Sequence, residues 1–343
     1  MQKIEQRLHH ELVFSTVNKE LGGRPDIKEF LFGSDKLVGI FSIENDLTDE
    51  RVSEYRKAYF GVGDTECYKL NLPNDNKLFL KMEYTNAMGN NHYARFWVVH
   101  LFICEVLGLI YPGVTQILEV TSGSSGIALA MACEVLGFDV TILVPSLLPE
   151  NRIKPMRRST TTIIEVPGYI DNCIAKLREM VKEGNYYVTN HSEEKADVIT
   201  HVFSRIGHEL VRDVDFPIDY AVLAMGNGTS TMAIGKALKE SNENIEITAY
   251  RPHFEEDPEE VVFGLIAANI DCRHIPLAMN YVDNQVYTTG VDIEALRSQY
   301  KYDTEVYNLG YSSLYGLHFA HELAKTVEGR KIVTVGYDKM DRY

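Results

Sequence analysis

The amino-acid sequence predicts an α/β fold built on mainly parallel sheets, and three observations carry that expectation. From about residue 63, short apolar runs alternate with helical stretches. The runs are apolar throughout rather than at every second position, the mark of strands covered on both faces. Loops rich in Gly, Ser and Thr stand where a run passes into a helix, which is where open α/β sheets hold their ligands.

Residues 1–60 precede this alternation and read as a helical extension. Ile4, Leu8, Leu12 and Val13 recur at helical spacing, and Gly22-Gly23-Arg24-Pro25 stops that helix. A second helical stretch runs from Thr48 to Tyr59, with Thr48 as its N-cap candidate. Lys77–Lys81 then forms a short strand, and residues 93–108, apolar on most faces, a buried helix. Gln116–Val120 is a strand, Ile127–Leu136 a helix stopped at Gly137, and Asp139–Val144 a strand stopped by Pro145. Strand Thr161–Val166 leads to helix Tyr169–Val181. Strand Asp219–Ala224, helix Met232–Lys239 and strand Glu246–Tyr250 follow. Helix Ser313–Thr326 and strand Lys331–Val335 come last.

The 343 residues suffice for one large domain or two of ordinary size. An apolar share of 45% and a charged share of 24% are those of a soluble globular protein. The net charge of −15 argues against nucleic acid or an anionic membrane as partner, since both reward basic surfaces. Cys67, Cys104, Cys133, Cys173 and Cys272 are odd in number and form no C-x-x-C pair, so neither a disulfide framework nor a metal site is expected. Met1–Glu5 leads into a charged stretch without a signal-peptide core, and the run Phe96–Ile103 is too short to span a bilayer. A cytoplasmic protein is expected.

The segment Lys81-Met82-Glu83-Tyr84-Thr85-Asn86-Ala87-Met88-Gly89-Asn90-Asn91-His92 resembles K-x-E-x-x-N-P-x-G-S-x-K of the cysteine synthase and cystathionine β-synthase family, the fold type II pyridoxal phosphate (PLP) enzymes. Gly63–Leu70 is similar to that family's opening G-N-T-P-L-x-x-L, and Gly310–Tyr315 to its G-I-S-S-G-A. The resemblance runs from about residue 61 to residue 343. It implies a two-lobed architecture with a cleft between the lobes, the small lobe spanning about residues 90–205, and a homodimer. The final lysine of the family segment binds the cofactor as an internal aldimine. Here His92 stands in its place, and imidazole has no primary amine with which to form that Schiff base.

Three loops carry the remaining candidates. Thr121-Ser122-Gly123-Ser124-Ser125-Gly126 resembles T-S-G-N-T-G, which holds the substrate α-carboxylate; Ser124 replaces the Asn that contacts the cofactor ring oxygen. Asn86 is carried over with this loop as a substrate contact. Small residues before a helix let a ligand approach the amides, although they are also ordinary capping residues. Gly226-Asn227-Gly228-Thr229-Ser230-Thr231 resembles the G-x-G-T-G-G-T phosphate cradle, with Gly226, Gly228 and Thr229 matching and Ser230 and Thr231 substituted. A tight capped turn is the alternative. Gly336–Tyr343 resembles P-D-S-G-x-R-Y, with Lys339 where the family's Ser meets the pyridine nitrogen. Tyr84, Tyr93, Tyr311 and Ser312 map near the same pocket.

These departures cluster where the family holds its cofactor, while the carboxylate loop survives best. Covalent PLP is therefore not expected, and non-covalent PLP stays open. The expected function is binding of, or action on, a small amino acid or carboxylate. His92 is then an acid or base, because imidazole titrates near neutral pH, or simply a packed histidine. One alternative is a non-catalytic paralogue that binds a metabolite or regulates a partner. The other is a PLP-dependent β-replacement or β-elimination enzyme whose lysine is relocated to Lys81 or Lys339.

Overall fold

The computed structural model describes residues 23–27, 37–189, 191, 197–214, 217–253, 262, 265 and 274–343. The helix expected around Ile4–Val13 lies outside them, as does Cys272.

Among the described residues, ten strands form two sheets. In chain order they are β1 (Cys67–Asn71), β2 (Lys77–Lys81), β3 (Gln116–Val120), β4 (Asp139–Pro145), β5 (Thr161–Val166), β6 (Tyr186–Val188), β7 (Tyr220–Ala224), β8 (Glu246–Arg251), β9 (Asn284–Tyr287) and β10 (Lys331–Val335). The larger sheet has the order β1-β2-β10-β7-β8-β9 and the smaller β5-β4-β3-β6. Every pairing is parallel except β1 with β2. The smaller sheet lies within the sequence between β2 and β7, so the larger one is assembled from segments on both sides of it.

The main helices are α1 (Asp49–Ala58), α2 (Ala94–Val106), α3 (Ser124–Leu136), α4 (Ile170–Glu183), α5 (Asp197–Asp213), α6 (Thr229–Ser241) and α7 (Tyr311–Ala324). Helix α2 is buried along almost its whole length, and α3 is filled by Ile127, Ala128, Leu129, Ala130 and Ala132. Small side chains on α3 allow the neighbouring turn to approach closely. Among the described residues, no helix is long and apolar enough to cross a membrane.

Thr48 caps α1 as expected, its hydroxyl accepting from Arg51 N at 3.2 Å. The helix packs on its own chain: the Phe41 and Tyr55 rings lie 5.0 and 5.1 Å from Phe102 of α2. Arg51 pairs with the buried Glu105 at 2.7 Å. The apolar face of this part of the N-terminal extension is therefore covered without a second protomer.

A buried cluster of charges joins the two halves of the molecule. Arg95 of α2 donates to Glu83 at 2.6 and 2.7 Å and to Glu209 of α5 at 2.5 and 2.7 Å. Lys81, fully buried at the end of β2, lies 2.8 Å from Glu209 and 2.9 Å from Asp213 and donates to the Thr65 carbonyl. Burial alone would raise the pKa of Glu209. Hydrogen bonds from Arg95, together with the charges of Arg95 and Lys81, outweigh that effect and hold it at about 2.

The carboxylate is thus depressed below its unfolded value. Its stabilising contribution is complete above about pH 4.5 and is lost as the pH falls toward 2. Glu209→Gln leaves two buried cations short of a partner, so denaturant unfolding at pH 7 should show a loss of about 3–5 kcal/mol. The variant should also lose less stability between pH 5 and 3 than the wild type.

Candidate functional site

The turn that carries His92 is clamped against α3. Gly89 has φ +76°, and a Cβ there would lie 2.8 Å from Ala128 Cα, so only glycine fits. Asn91 Nδ2 donates to the Gly89 carbonyl at 2.7 Å and to the Ser124 carbonyl at 3.0 Å. Asn91 Oδ1 accepts from Tyr93 N at 2.8 Å, which starts α2. His92 is thereby fixed beside the first turn of α3. Its ring centroid is 4.3 Å from Tyr93, 5.0 Å from Phe203 of α5 and 5.2 Å from Tyr337.

Burial in this aromatic surround lowers the His92 pKa to about 3. The ring is neutral at physiological pH, so the near-neutral titration expected from the sequence does not occur. Nδ1 is buried and has no hydrogen-bond partner among the described residues.

The segment Thr121–Gly126 runs from the end of β3 into the first turn of α3, which begins at Ser124 rather than at the expected Ile127. Thr121 Oγ1 accepts from Gly123 N at 3.1 Å and Gly126 N at 3.3 Å, which folds the loop over its own hydroxyl. Ser122 is exposed and Ser124 half-buried, so this side of the loop is open. Ser125 Oγ accepts from Trp97 Nε1 at 3.1 Å. Gly123 has φ +148° and rests on Arg152, whose Nη1 would be 2.4 Å from an added Cβ. Asn86 is already engaged: its Oδ1 accepts from Gly63 N at 2.8 Å and its Nδ2 donates to Glu83. It holds the turn rather than facing the loop.

In the second loop, Gly228 has φ +90° and leaves no room for a Cβ, which would meet Ile275 N at 2.8 Å. The Thr229 hydroxyl, at the first position of α6, is buried without a partner among the described residues. The Thr231 hydroxyl instead donates to the Ala224 carbonyl at 2.7 Å. Gly226 and Ser230 are half-buried. Tyr337 OH accepts from Ala224 N at 3.2 Å, linking the His92 surround to the end of β7.

The tyrosines divide. Tyr93 lies against His92, whereas Tyr84 OH donates to Glu305 at 2.8 Å and Tyr311 is bonded to Glu294. The Lys339 ammonium sits 5.0 Å above the Tyr84 ring. The Ser312 carbonyl accepts from Tyr250 OH at 2.7 Å.

Several neighbours escaped the sequence reading. Asp338, 2% exposed, accepts from Ser124 Oγ at 3.2 Å, Arg152 Nη2 at 3.4 Å and Tyr343 OH at 3.1 Å. Arg152 and Phe203 carry no motif in this sequence, and only their burial would have marked them. Glu119 on β3 lies 3.3 Å from His191 Nδ1 and accepts from the Thr189 hydroxyl. Among the described residues, no group of three or more His, Cys, Asp or Glu side chains is arranged to hold a metal ion.

The family model described as pyridoxal-phosphate dependent enzyme matches residues 59–337, and the chain belongs to that family. A cysteine synthase of Staphylococcus aureus is 30% identical over 197 residues, 56% of this chain and 63% of that protein, so the match spans less than two thirds of this relative. The crystal structure of a cysteine synthase from Entamoeba histolytica superposes with a TM-score of 0.69 at 25% identity, covering 88% of this chain and 92% of that one. An O-ureido-L-serine-bound lysine-to-alanine variant of O-ureido-L-serine synthase gives a TM-score of 0.74, covering 83% and 91%. At 19% identity that likeness is one of fold.

Because Gly123 combines a positive φ with contact to a buried guanidinium, Gly123→Ala should destabilise the fold by about 1–3 kcal/mol in denaturant unfolding. A larger side chain such as Val should cost more, rather than leave the fold intact.

Proposed function

We propose that this chain binds a small amino acid or carboxylate on the Thr121–Gly126 loop, in a cysteine synthase-like site with no covalent link to PLP at position 92. The observation that carries the proposal is His92 itself. A neutral, buried imidazole, its Nδ1 without a hydrogen-bond partner among the described residues, follows Asn91, which donates to the Ser124 carbonyl, and stands at the position where the family segment has its lysine. Amides at the start of α3 favour an anion through their N–H groups and the helix dipole.

The phosphate of PLP suits the second loop. Gly226, Gly228, Thr229 and Ser230 would hold it, and the unpartnered Thr229 hydroxyl would gain an acceptor. When bound, PLP supplies an electron sink for amino-acid chemistry. The two lysines considered as replacements are both engaged elsewhere. Lys81 is held by Glu209 and Asp213, and Lys339 lies over Tyr84. This disfavours the relocated-lysine alternative.

His92 in this proposal is a hydrogen-bonding contact. A conjugate acid with a pKa of about 3 makes a weak general base at neutral pH. One fold neighbour, a lysine-to-alanine variant, holds O-ureido-L-serine, an amino acid of the class proposed here.

Borohydride treatment of the purified protein, with no PLP added, should yield no pyridoxyl-lysine in peptide mass spectrometry, and a pyridoxyl-modified lysine would overturn the proposal. His92→Lys alone should not confer β-replacement activity, because Ser124 and Lys339 still differ from the family's ring contacts and catalysis is sensitive to displacements of about 1 Å. The depressed His92 pKa favours the folded state fully above about pH 6.5, an advantage lost as the pH falls toward 3. Ligand affinity measured by calorimetry should therefore show no His92 step between about pH 6 and 8.

A further inference from the structure

A buried guanidinium beside the proposed ligand loop has one nitrogen without a hydrogen-bond partner among the described residues. Arg342 is 5% exposed, and its Nη2 donates to the carbonyls of Gly89 and Asn90. The guanidinium thus lies against the turn that leads into His92. Asn91 Nδ2 donates to that same Gly89 carbonyl and to the Ser124 carbonyl, so a single amide separates Arg342 from the Thr121–Gly126 loop. Arg342 Nη1 is buried and has no hydrogen-bond partner among the described residues. A charged donor in that state is costly, because desolvation has removed its water and nothing replaces it.

The surrounding charges do not make up the deficit. Asp338 is the buried carboxylate of this region, and it already accepts from Ser124, Arg152 and Tyr343. Asp341 is exposed. Arg152, 1% exposed, is a second buried cation and pairs with Asp338 at 3.4 Å. His92 contributes no charge. Burial also pulls the Arg342 pKa below the ordinary guanidinium value, as expected of a cation with too little negative charge around it. The group that would complete this arrangement is an anion.

We propose that Arg342 Nη1 receives a second acidic group of the ligand whose first carboxylate rests on the Thr121–Gly126 loop, which makes the ligand a dicarboxylic amino acid. The proposal rests on the role assigned to that loop above. A guanidinium suits the task because its planar fork already holds the turn through Nη2 and presents Nη1 in a fixed direction.

Calorimetric titration of the full chain with L-aspartate against L-asparagine, and L-glutamate against L-glutamine, tests it. In at least one pair the acid should bind about tenfold or more tightly than its amide. Arg342→Gln should bring the ratio of acid to amide affinity close to one, even where loss of the bonds to Gly89 and Asn90 weakens both. Arg342→Lys, which keeps the charge, should retain part of the preference. A merely structural role through Gly89 and Asn90 would weaken acid and amide alike. Equal binding of acid and amide by the wild type overturns the proposal and leaves the loop assignment standing. So does an undiminished preference in Arg342→Gln. If neither member of either pair binds, the loop assignment itself fails and takes this proposal with it. The wild-type comparison does not depend on either variant folding.

Discussion

Arg95 occupies the point from which the rest of the site is positioned. Its guanidinium is shared between Glu83, just beyond the end of β2, and Glu209 on α5. The same residue belongs to the first turn of α2, where its amide N–H donates to the His92 carbonyl at 3.2 Å. One buried side chain therefore ties the larger sheet, the His92 turn and α5, which brings Phe203, together. Buried ion pairs contribute little net stability compared with apolar packing, but breaking one is severe. The cluster is better understood as a device that fixes relative position.

Around that anchor, charge and burial act in opposite senses at closely spaced places. At position 81, complete burial is met by two carboxylates and a carbonyl, and the ammonium is held in place. At position 92, burial among aromatic rings outweighs the charge of Glu83, and the imidazole is neutral. At position 342, burial meets two carbonyls on one nitrogen and no acceptor on the other. What distinguishes the three is the number of acceptors, and the proposed ligand chemistry follows from where those are missing.

Much of the architecture was legible in the sequence. β2, β3, β5 and β10 coincide with the expected runs, and the strand-to-helix loops fall where they were placed. β1, β6 and β9 were not recognised because they are short edge strands with mixed burial, which leaves no continuous apolar signal. β4 runs through Pro145, whose missing N–H would ordinarily end a strand. Within the site, glycine and hydroxyl patterns marked the loops but not what lies beneath them. Arg152 and Asp338 meet the Thr121–Gly126 segment only through tertiary contacts, and His191 lies against Glu119 of β3. Asn86 matches a motif and Thr231 stands at a substituted position of one, and the polar groups of both are engaged within the protein. Pattern shows which residue stands at a position, and only packing shows whether its polar atoms are available.

The place of β10 in the larger sheet bears on how the chain is made. β10 lies between β2 and β7 as a central strand, although it follows both of them in the sequence. The smaller sheet, contained within residues 116–188, can pair its four strands while the larger one still has a gap at its centre. Until residues 331–335 arrive, Leu78, Phe79 and Leu80 of β2 present an apolar edge on one side of that gap and Ala221 and Val222 of β7 on the other. Such edges are templates for pairing with another chain. Synthesis thus passes through a stage at which these edges are open to a strand of another copy, and a chain cut before residue 331 keeps them open.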